Sequence, residues 1–325
     1  LEAVYEEKNR GLDSDGRKMF EALLEGLFQK HTYGTQTTIG TIEHLKNPSL
    51  SEIRKYFNKY YVPNNMAICM SGDFNPDSVI NWVNQKFGTY KRKDDPKFTP
   101  KIEEPITEPI IKDVFGPETE RVYLGYRFPG VKNRDTQVMR IIDMVLSNSQ
   151  AGLIDLNLNQ QQKVLQASCF PYILSDYSTH ILYGSPKQGQ SLDELKDLLT
   201  AEVEKVKNGD FPDWLLPAII SDIKLSKIKV YESNSSRANE FVQAFIQRIE
   251  WKDYVKEMEV LESITKEEVI KVAKKYYQNN YVYVRKNLGE DKGVIKVTKP
   301  AITPVEVNRD SQSEFLNKIF EEEVP

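Results

Sequence analysis

The sequence predicts an α+β protein in which an antiparallel or mixed sheet packs against helices and one helix–strand unit occurs twice. Three observations predict it. Val122, Leu124, Tyr126 and Phe128 alternate with Tyr123, Gly125 and Arg127, the period of a strand with one buried face. Met19, Phe20, Leu23, Leu24, Leu27 and Phe28 recur at i, i+3 and i+4 instead, the period of an amphipathic helix. Finally, Ser49-Leu50-Ser51-Glu52 and Thr265-Lys266-Glu267-Glu268 read as capping boxes that open helices with matching apolar faces. Those faces are Ile53, Tyr56, Phe57 and Tyr60 in one copy and Val269, Val272, Ala273 and Tyr276 in the other. Tyr60-Tyr61 matches Tyr276-Tyr277, Asn64-Asn65 matches Asn279-Asn280, and Leu45 matches Leu261. A shared cap, face, aromatic pair and turn mark two copies of one unit, and both aromatic stripes are expected in a core.

Residues 1–15 begin as a helix that holds Val4 and the adjacent carboxylates Glu6 and Glu7. Neighbouring side chains on a helix point about 100° apart, so only one of the two can enter a given site. A helix over 17–30 follows, then a loop over 32–41 rich in Gly and Thr. The first repeated helix starts at Ser49 and ends at Pro63-Asn64-Asn65, and 66–70 reads as a short buried strand. Pro76 suits the first turn of a helix running to residue 87. The stretch 91–109 is charged, holds Pro96, Pro100, Pro105 and Pro109, and has no hydrophobic period, as expected of a surface linker. Strands are expected at 112–115 and 120–128 and a helix at 136–146, followed by an antiparallel pair at 168–174 and 179–186 joined at Ser175-Asp176-Tyr177. Ser191 and Glu194 form a capping box for a helix over 191–208, with Gly209 at its C-terminal side. Helices over 212–232, with apolar positions suited to burial, and over 236–249 precede the second repeat. The expected domains are therefore 1–92, the closing part of a first domain; 93–108, a linker; 109–300, a complete second domain; and 301–325, a bridge to further domains.

Composition excludes several classes. With 39% hydrophobic and 28% charged residues and a net charge of −4, the chain has the balance of a globular protein. Its Lys and Arg are spread evenly rather than gathered in one stripe, so nucleic acid is not an expected partner. No apolar run approaches the roughly 18 residues of a membrane span. Cys69 and Cys169 lie far apart in strand-like runs and read as small buried hydrophobes. Two cysteines are too few for a disulfide framework or a zinc–cysteine site. Gly34, Gly40 and Gly72 fall in turns, outside any phosphate-binding pattern. Leu1 is not an initiator Met and no leader is visible. The compartment stays open, and a bacterial periplasm or an organelle lumen would both suit the chain.

The order of elements then points to a family. A helix with Glu6-Glu7-Lys8, the helix over 17–30, His31-Thr32-Tyr33-Gly34, Ile39-Gly40-Thr41, a capped helix and a strand ending in Ser71-Gly72-Asp73-Phe74 together resemble the pitrilysin (insulinase-like) family of zinc metallopeptidases. The resemblance covers nearly the whole chain and extends to Ala151-Gly152-Leu153-Ile154. It implies paired metallopeptidase-like domains of one α+β fold, strung along the chain. It also implies zinc as cofactor, held by an inverted H-x-x-E-H on one helix and by a glutamate from a later helix. Matching Ala3-Val4-Tyr5-Glu6-Glu7 to that later helix places the metal ligand at Glu7, with Glu6 left to orient or hydrogen-bond its neighbours. The family's companion acid, seven positions earlier, falls before Leu1.

The remaining ligands are not in the chain. Its three histidines, His31, His44 and His180, form no H-x-x-E-H, H-E-x-x-H or H-x-x-x-H. His31 reads as a loop histidine, His44 sits beside Glu43, and His180 lies in a strand, so none of them is assigned a metal. No catalytic residue is expected here. The two imidazoles and the base are expected upstream of Leu1, and Glu7 alone offers neither the ligand count nor the geometry to hold zinc.

Two functions fit. In the first, the parent is a zinc metalloendopeptidase that hydrolyses peptides in an enclosed chamber, and this stretch supplies the third zinc ligand and chamber wall while being inactive alone. In the second, it is a non-catalytic structural or partner subunit of the same fold. Glu7 favours the first, because a non-catalytic subunit has no chemical need for that carboxylate. The expected partners are a peptide substrate and the remaining domains of the parent chain or a homologous partner.

Overall fold

The computed structural model describes residues 2–94, 98–291, 293, 308 and 311–322. Leu1, Pro96, residues 294–300 and, in the predicted bridge over 301–325, residues 301–307, 309–310 and 323–325 lie outside the described residues. In chain order the elements are α1 (Glu2–Asp13), α2 (Asp15–Leu27), α3 (Thr32–Thr35), α4 (Ile42–Lys46), α5 (Leu50–Tyr60), α6 (Pro76–Phe87), β1 (Ile110–Gly116), β2 (Arg121–Pro129) and α7 (Arg134–Leu146). After a π-helical turn at Asp155–Asn159 come β3 (Gln166–Ile173), β4 (Tyr177–Ser185), α8 (Leu192–Asn208), α9 (Leu215–Glu232) and α10 (Asn234–Ile246). The chain closes with α11 (Trp251–Tyr254), α12 (Glu257–Glu262), α13 (Lys266–Tyr276), β5 (Tyr281–Leu288) and α14 (Glu314–Glu321). This is the α+β class expected.

The five strands form one mixed sheet in the order β1-β5-β2-β4-β3. β1 pairs with β5 in parallel, and the other pairs are antiparallel, including the predicted pair of β3 and β4. The alternation read in β2 sends Val122, Leu124, Tyr126 and Phe128 into the larger core, where α7, α8 and α13 cover the sheet and α9 packs on α7. On the opposite face Met19, Leu23 and Leu27 of α2, with Phe28 just past its end, pack against Val114, Ile181, Val282 and Val284. Two glycines set how close α2 lies. A Cβ on Gly26 would sit 2.7 Å from Val282 Cγ1, and one on Gly125 would sit 2.7 Å from Leu23 Cδ1. Gly125→Val is therefore expected to cost about 1–3 kcal/mol by overpacking, more than the gain in strand propensity returns. Urea denaturation checks this, and adding Leu23→Ala should recover part of the loss.

The cap of α8 is the one predicted. Ser191 and Glu194 bond reciprocally, and Gly209 ends the helix at φ 75°, a backbone conformation that glycine adopts without a Cβ penalty. At the two repeated helices only half of each box forms. Ser49 Oγ accepts the Glu52 N–H and Thr265 Oγ1 accepts the Glu268 N–H. The return carboxylates are drawn elsewhere, Glu52 to Lys55 at 2.6 Å and Glu268 to Arg134 at 2.5 Å.

Several expectations are overturned. The stretch 66–70 is not a buried strand: Met66, Ile68 and Met70 are 58%, 56% and 48% exposed. Ile53, Tyr56 and Phe57 of α5 are exposed as well, whereas Val269, Val272 and Ala273 of α13 are buried. The reason is topological. β5 lies between β1 and β2 and α13 packs on β2, while no described strand flanks 66–70. Leu225 and Ile228 of α9 are exposed too, so burial there stops near Ile219. Cys69 is only partly buried, unlike Cys169. The linker is more than a surface strap. The Glu103 carboxylate is buried and accepts the N–H groups of Gln29, Lys30 and His31, with Arg127 Nη1 3.4 Å away. Within the tail, α14 is a helix with both Phe315 and Phe320 exposed.

Candidate metal site

Glu7 projects from α1, whose inner face is fixed by Tyr5. The Tyr5 ring is buried against Leu45, and its hydroxyl donates to the Leu45 carbonyl at 2.6 Å. Two residues further on, a helical side chain lies about 200° round the axis, and Glu7 is accordingly exposed. Glu6 is half-buried and Lys8 is buried. Among the described residues Glu7 belongs to no group of three metal-binding side chains. The structure thus presents the predicted ligand on a surface, outside any such group.

Two histidines are occupied with the backbone around them. His31 is fully buried, caps α3 through its Nδ1, and has Nε2 3.3 Å from Asp176 Oδ2. Its ring packs among Phe28, Tyr33, Phe98 and Tyr177. His44 caps α4 in a reciprocal box with Thr41. A histidine read as a loop residue is therefore a buried anchor.

The third histidine is where the fold gathers polar groups. His180 on β4 has no exposed surface and lies between Asp143 of α7 and Tyr277, just past α13. His180 Nε2 is 3.0 Å from Asp143 Oδ1, and His180 Nδ1 is 2.6 Å from the Tyr277 hydroxyl. Cys169 of β3 joins them, its thiol donating to the Asp143 main-chain oxygen at 3.4 Å. One ligand atom from each of Asp143, Cys169 and His180 lies within 4.8 Å of the others. Burial pushes the Cys169 thiol well above its ordinary range, and the Asp143 carboxylate adds to that. Burial likewise pushes the Tyr277 phenol well up. Sequence reasoning missed this grouping. One signal was available in the acid Asp143 inside the apolar run of α7, where Ile141, Ile142 and Val145 are all buried.

Comparison with known proteins adds a second line of evidence. A family model described as the peptidase M16 inactive domain matches residues 49–222, just over half of the chain. The zinc protease PqqE of Helicobacter pylori is 26% identical over 218 residues, which are 65% of this chain and 49% of that protein. An uncharacterized zinc protease of Bacillus subtilis, YmxG, is 27% identical over 241 residues, 72% of this chain and 56% of that protein. The chain spans about half the length of these curated relatives. Among solved structures, a protease from Helicobacter pylori superposes with a TM-score of 0.77 at 21% identity, over 87% of this chain and 70% of that one. At that identity the likeness concerns the fold. No helix among the described residues is long and apolar enough to cross a membrane.

Proposed function

This chain belongs to the M16, pitrilysin-like peptidase family, and on that premise we propose that it is part of a zinc metalloendopeptidase, lending Glu7 as one zinc ligand and walling the chamber in which peptides are cut. The observation that carries the reading is the contrast between the two repeated units. In one, α13 and β5 are buried by flanking strands; in the other, α5 and residues 66–70 present the same apolar pattern to solvent. An apolar face of this extent marks an interaction surface. By analogy with β5, its occupant is a set of strands placed on both sides of residues 66–70. That occupant would come from a further segment of the parent protein or from a homologous partner, and it would carry the remaining zinc donors.

Glu7 does not make a zinc site by itself, because among the described residues it belongs to no group of three donors. Its placement suits a single contribution: α1 is pinned through Tyr5 and Leu45 while Glu7 stays accessible. A second reading, a non-catalytic structural or partner subunit, draws support from the match to a model described as an inactive domain.

One experiment separates the two. The isolated chain is expected to show no chelator-sensitive cleavage of a quenched fluorescent peptide. The longer natural protein that contains it is expected to cleave, and Glu7→Gln in that protein should lower the rate by more than about 100-fold. Glu6→Gln should cost no more than the roughly 10–100-fold typical of residues that only orient metal ligands. If a folded longer protein shows no chelator-sensitive turnover, the non-catalytic reading stands instead.

A further inference from the structure

We propose that Asp143, Cys169 and His180 form a second metal site, separate from Glu7, which takes a zinc-like divalent cation as a brace between α7, β3 and β4. The three donors reach one point because of strand register. Cys169 pairs with Leu182, and His180 pairs with Pro171. Paired residues share a face, and so do residues two apart on one strand, so Cys169 and His180 project from the same side of the sheet. Asp143 comes down onto that side from α7.

The distances suit a small ion. Zinc–nitrogen and zinc–oxygen bonds near 2.0–2.2 Å and zinc–sulfur bonds near 2.3 Å put tetrahedral ligand atoms about 3.3–3.8 Å apart. His180 Nε2 and Asp143 Oδ1 already lie 3.0 Å apart, and all three ligand atoms fall within 4.8 Å. Rotations that move an atom by about 1 Å would complete the set. A thiolate, an imidazole and a carboxylate together favour zinc over magnesium or calcium, which take oxygen donors. A fourth position remains for water.

Tyr277 supplies what a ligating histidine needs on its other nitrogen. Its hydroxyl, 2.6 Å from His180 Nδ1, fixes the ring and the tautomer. Without metal, Nε2–H donates to Asp143 and Nδ1 accepts from the Tyr277 hydroxyl. With metal on Nε2, Nδ1–H donates to the Tyr277 oxygen. Binding also releases the Cys169 thiol proton as the thiolate forms, so affinity should fall as pH drops.

The site is enclosed, with His180 and Cys169 buried, so metal is best loaded during folding. The test refolds the full chain with Co²⁺ as the probe and reads the near-ultraviolet thiolate-to-cobalt charge-transfer band. One equivalent per chain is expected, bleached by Zn²⁺ and retained in Cys69→Ser and Glu7→Gln. The band should be lost in Cys169→Ser and Asp143→Asn. Wild-type protein that refolds to its native circular dichroism without a band would overturn the proposal, whatever the variants do. It would leave a metal-free Tyr277–His180–Asp143 hydrogen-bond chain. A band that survives Cys169→Ser would overturn it equally. Neither outcome bears on the Glu7 site, whose test is peptide cleavage by the longer protein.

Discussion

Lys286→Met is expected to destabilise the folded chain by about 3–5 kcal/mol, the range for stripping one partner from a buried ion pair. Lys286 in β5 has no exposed surface. Its ammonium lies 3.1 Å from Asp15 Oδ2 and donates to the Gly116 carbonyl at 3.0 Å. Asp15, at the start of α2, is equally enclosed: the Glu118 N–H donates to Oδ2, and Lys18 lies 3.0 Å from Oδ1. Gly116 admits this carboxylate, since a Cβ there would sit 1.8 Å from Asp15 Oδ1. The cluster therefore ties α2 to both β1 and β5. Burial pushes the Asp15 carboxyl up, but the Glu118 N–H, Lys18 and Lys286 outweigh it and hold the group below its ordinary value of 3.8. A depressed folded pKa adds stability that is complete above the unfolded pKa and is lost as pH falls through the folded value. The gap between wild type and Lys286→Met should thus be widest near neutral pH and shrink below about pH 4. Urea unfolding at pH 7 and pH 3 checks both parts. A loss under about 1 kcal/mol at pH 7 would show that the pair is not the latch described, because a stripped buried charge costs more than that.

Much of the fold was legible because its signals are local. The alternation of Val122, Leu124, Tyr126 and Phe128, the box of Ser191 and Glu194, and the turn between β3 and β4 all lie within a few residues of the structure they specify. What was not legible depends on distant partners. The stripe of Ile53, Tyr56 and Phe57 specifies a helix face, but periodicity does not say whether anything covers that face, and here nothing described does. The return bonds of Glu52 and Glu268 were lost to Lys55 and Arg134, one of them 134 residues away in sequence. The same holds for Asp143, Cys169 and His180, which are unremarkable singly and meet only through strand register. Glu7 was marked by resemblance alone, and the fold shows it exposed and, among the described residues, outside any group of three donors.

Tyr61 and Tyr277 occupy the same place in the two repeated units, yet their replacement by alanine is expected to have very different costs. Tyr277 is 2% exposed, and its ring centroid lies 4.7 Å from Tyr126 and 5.6 Å from Phe128. Its hydroxyl meets His180. Tyr277→Ala should therefore cost about 3–5 kcal/mol, the range for truncating a large buried aromatic, with an unpaired His180 nitrogen adding to it. Tyr61 is 58% exposed and stacks on Phe57, which is itself exposed. In the isolated chain, Tyr61→Ala should stay within about 0.5 kcal/mol of wild type, as exposed substitutions do. Local propensity cannot produce that difference, because residue type and position in the unit are the same. If strands from elsewhere in the parent cover α5 and residues 66–70, the two costs should converge in the longer protein. Hydrogen exchange over 50–90 should slow there as well. Denaturation of both variants, alone and in the longer protein, decides the matter. Equal costs in the isolated chain would mean that the first unit is already packed. A Tyr61→Ala cost that stays near zero in the longer protein would mean that no partner seats on this face.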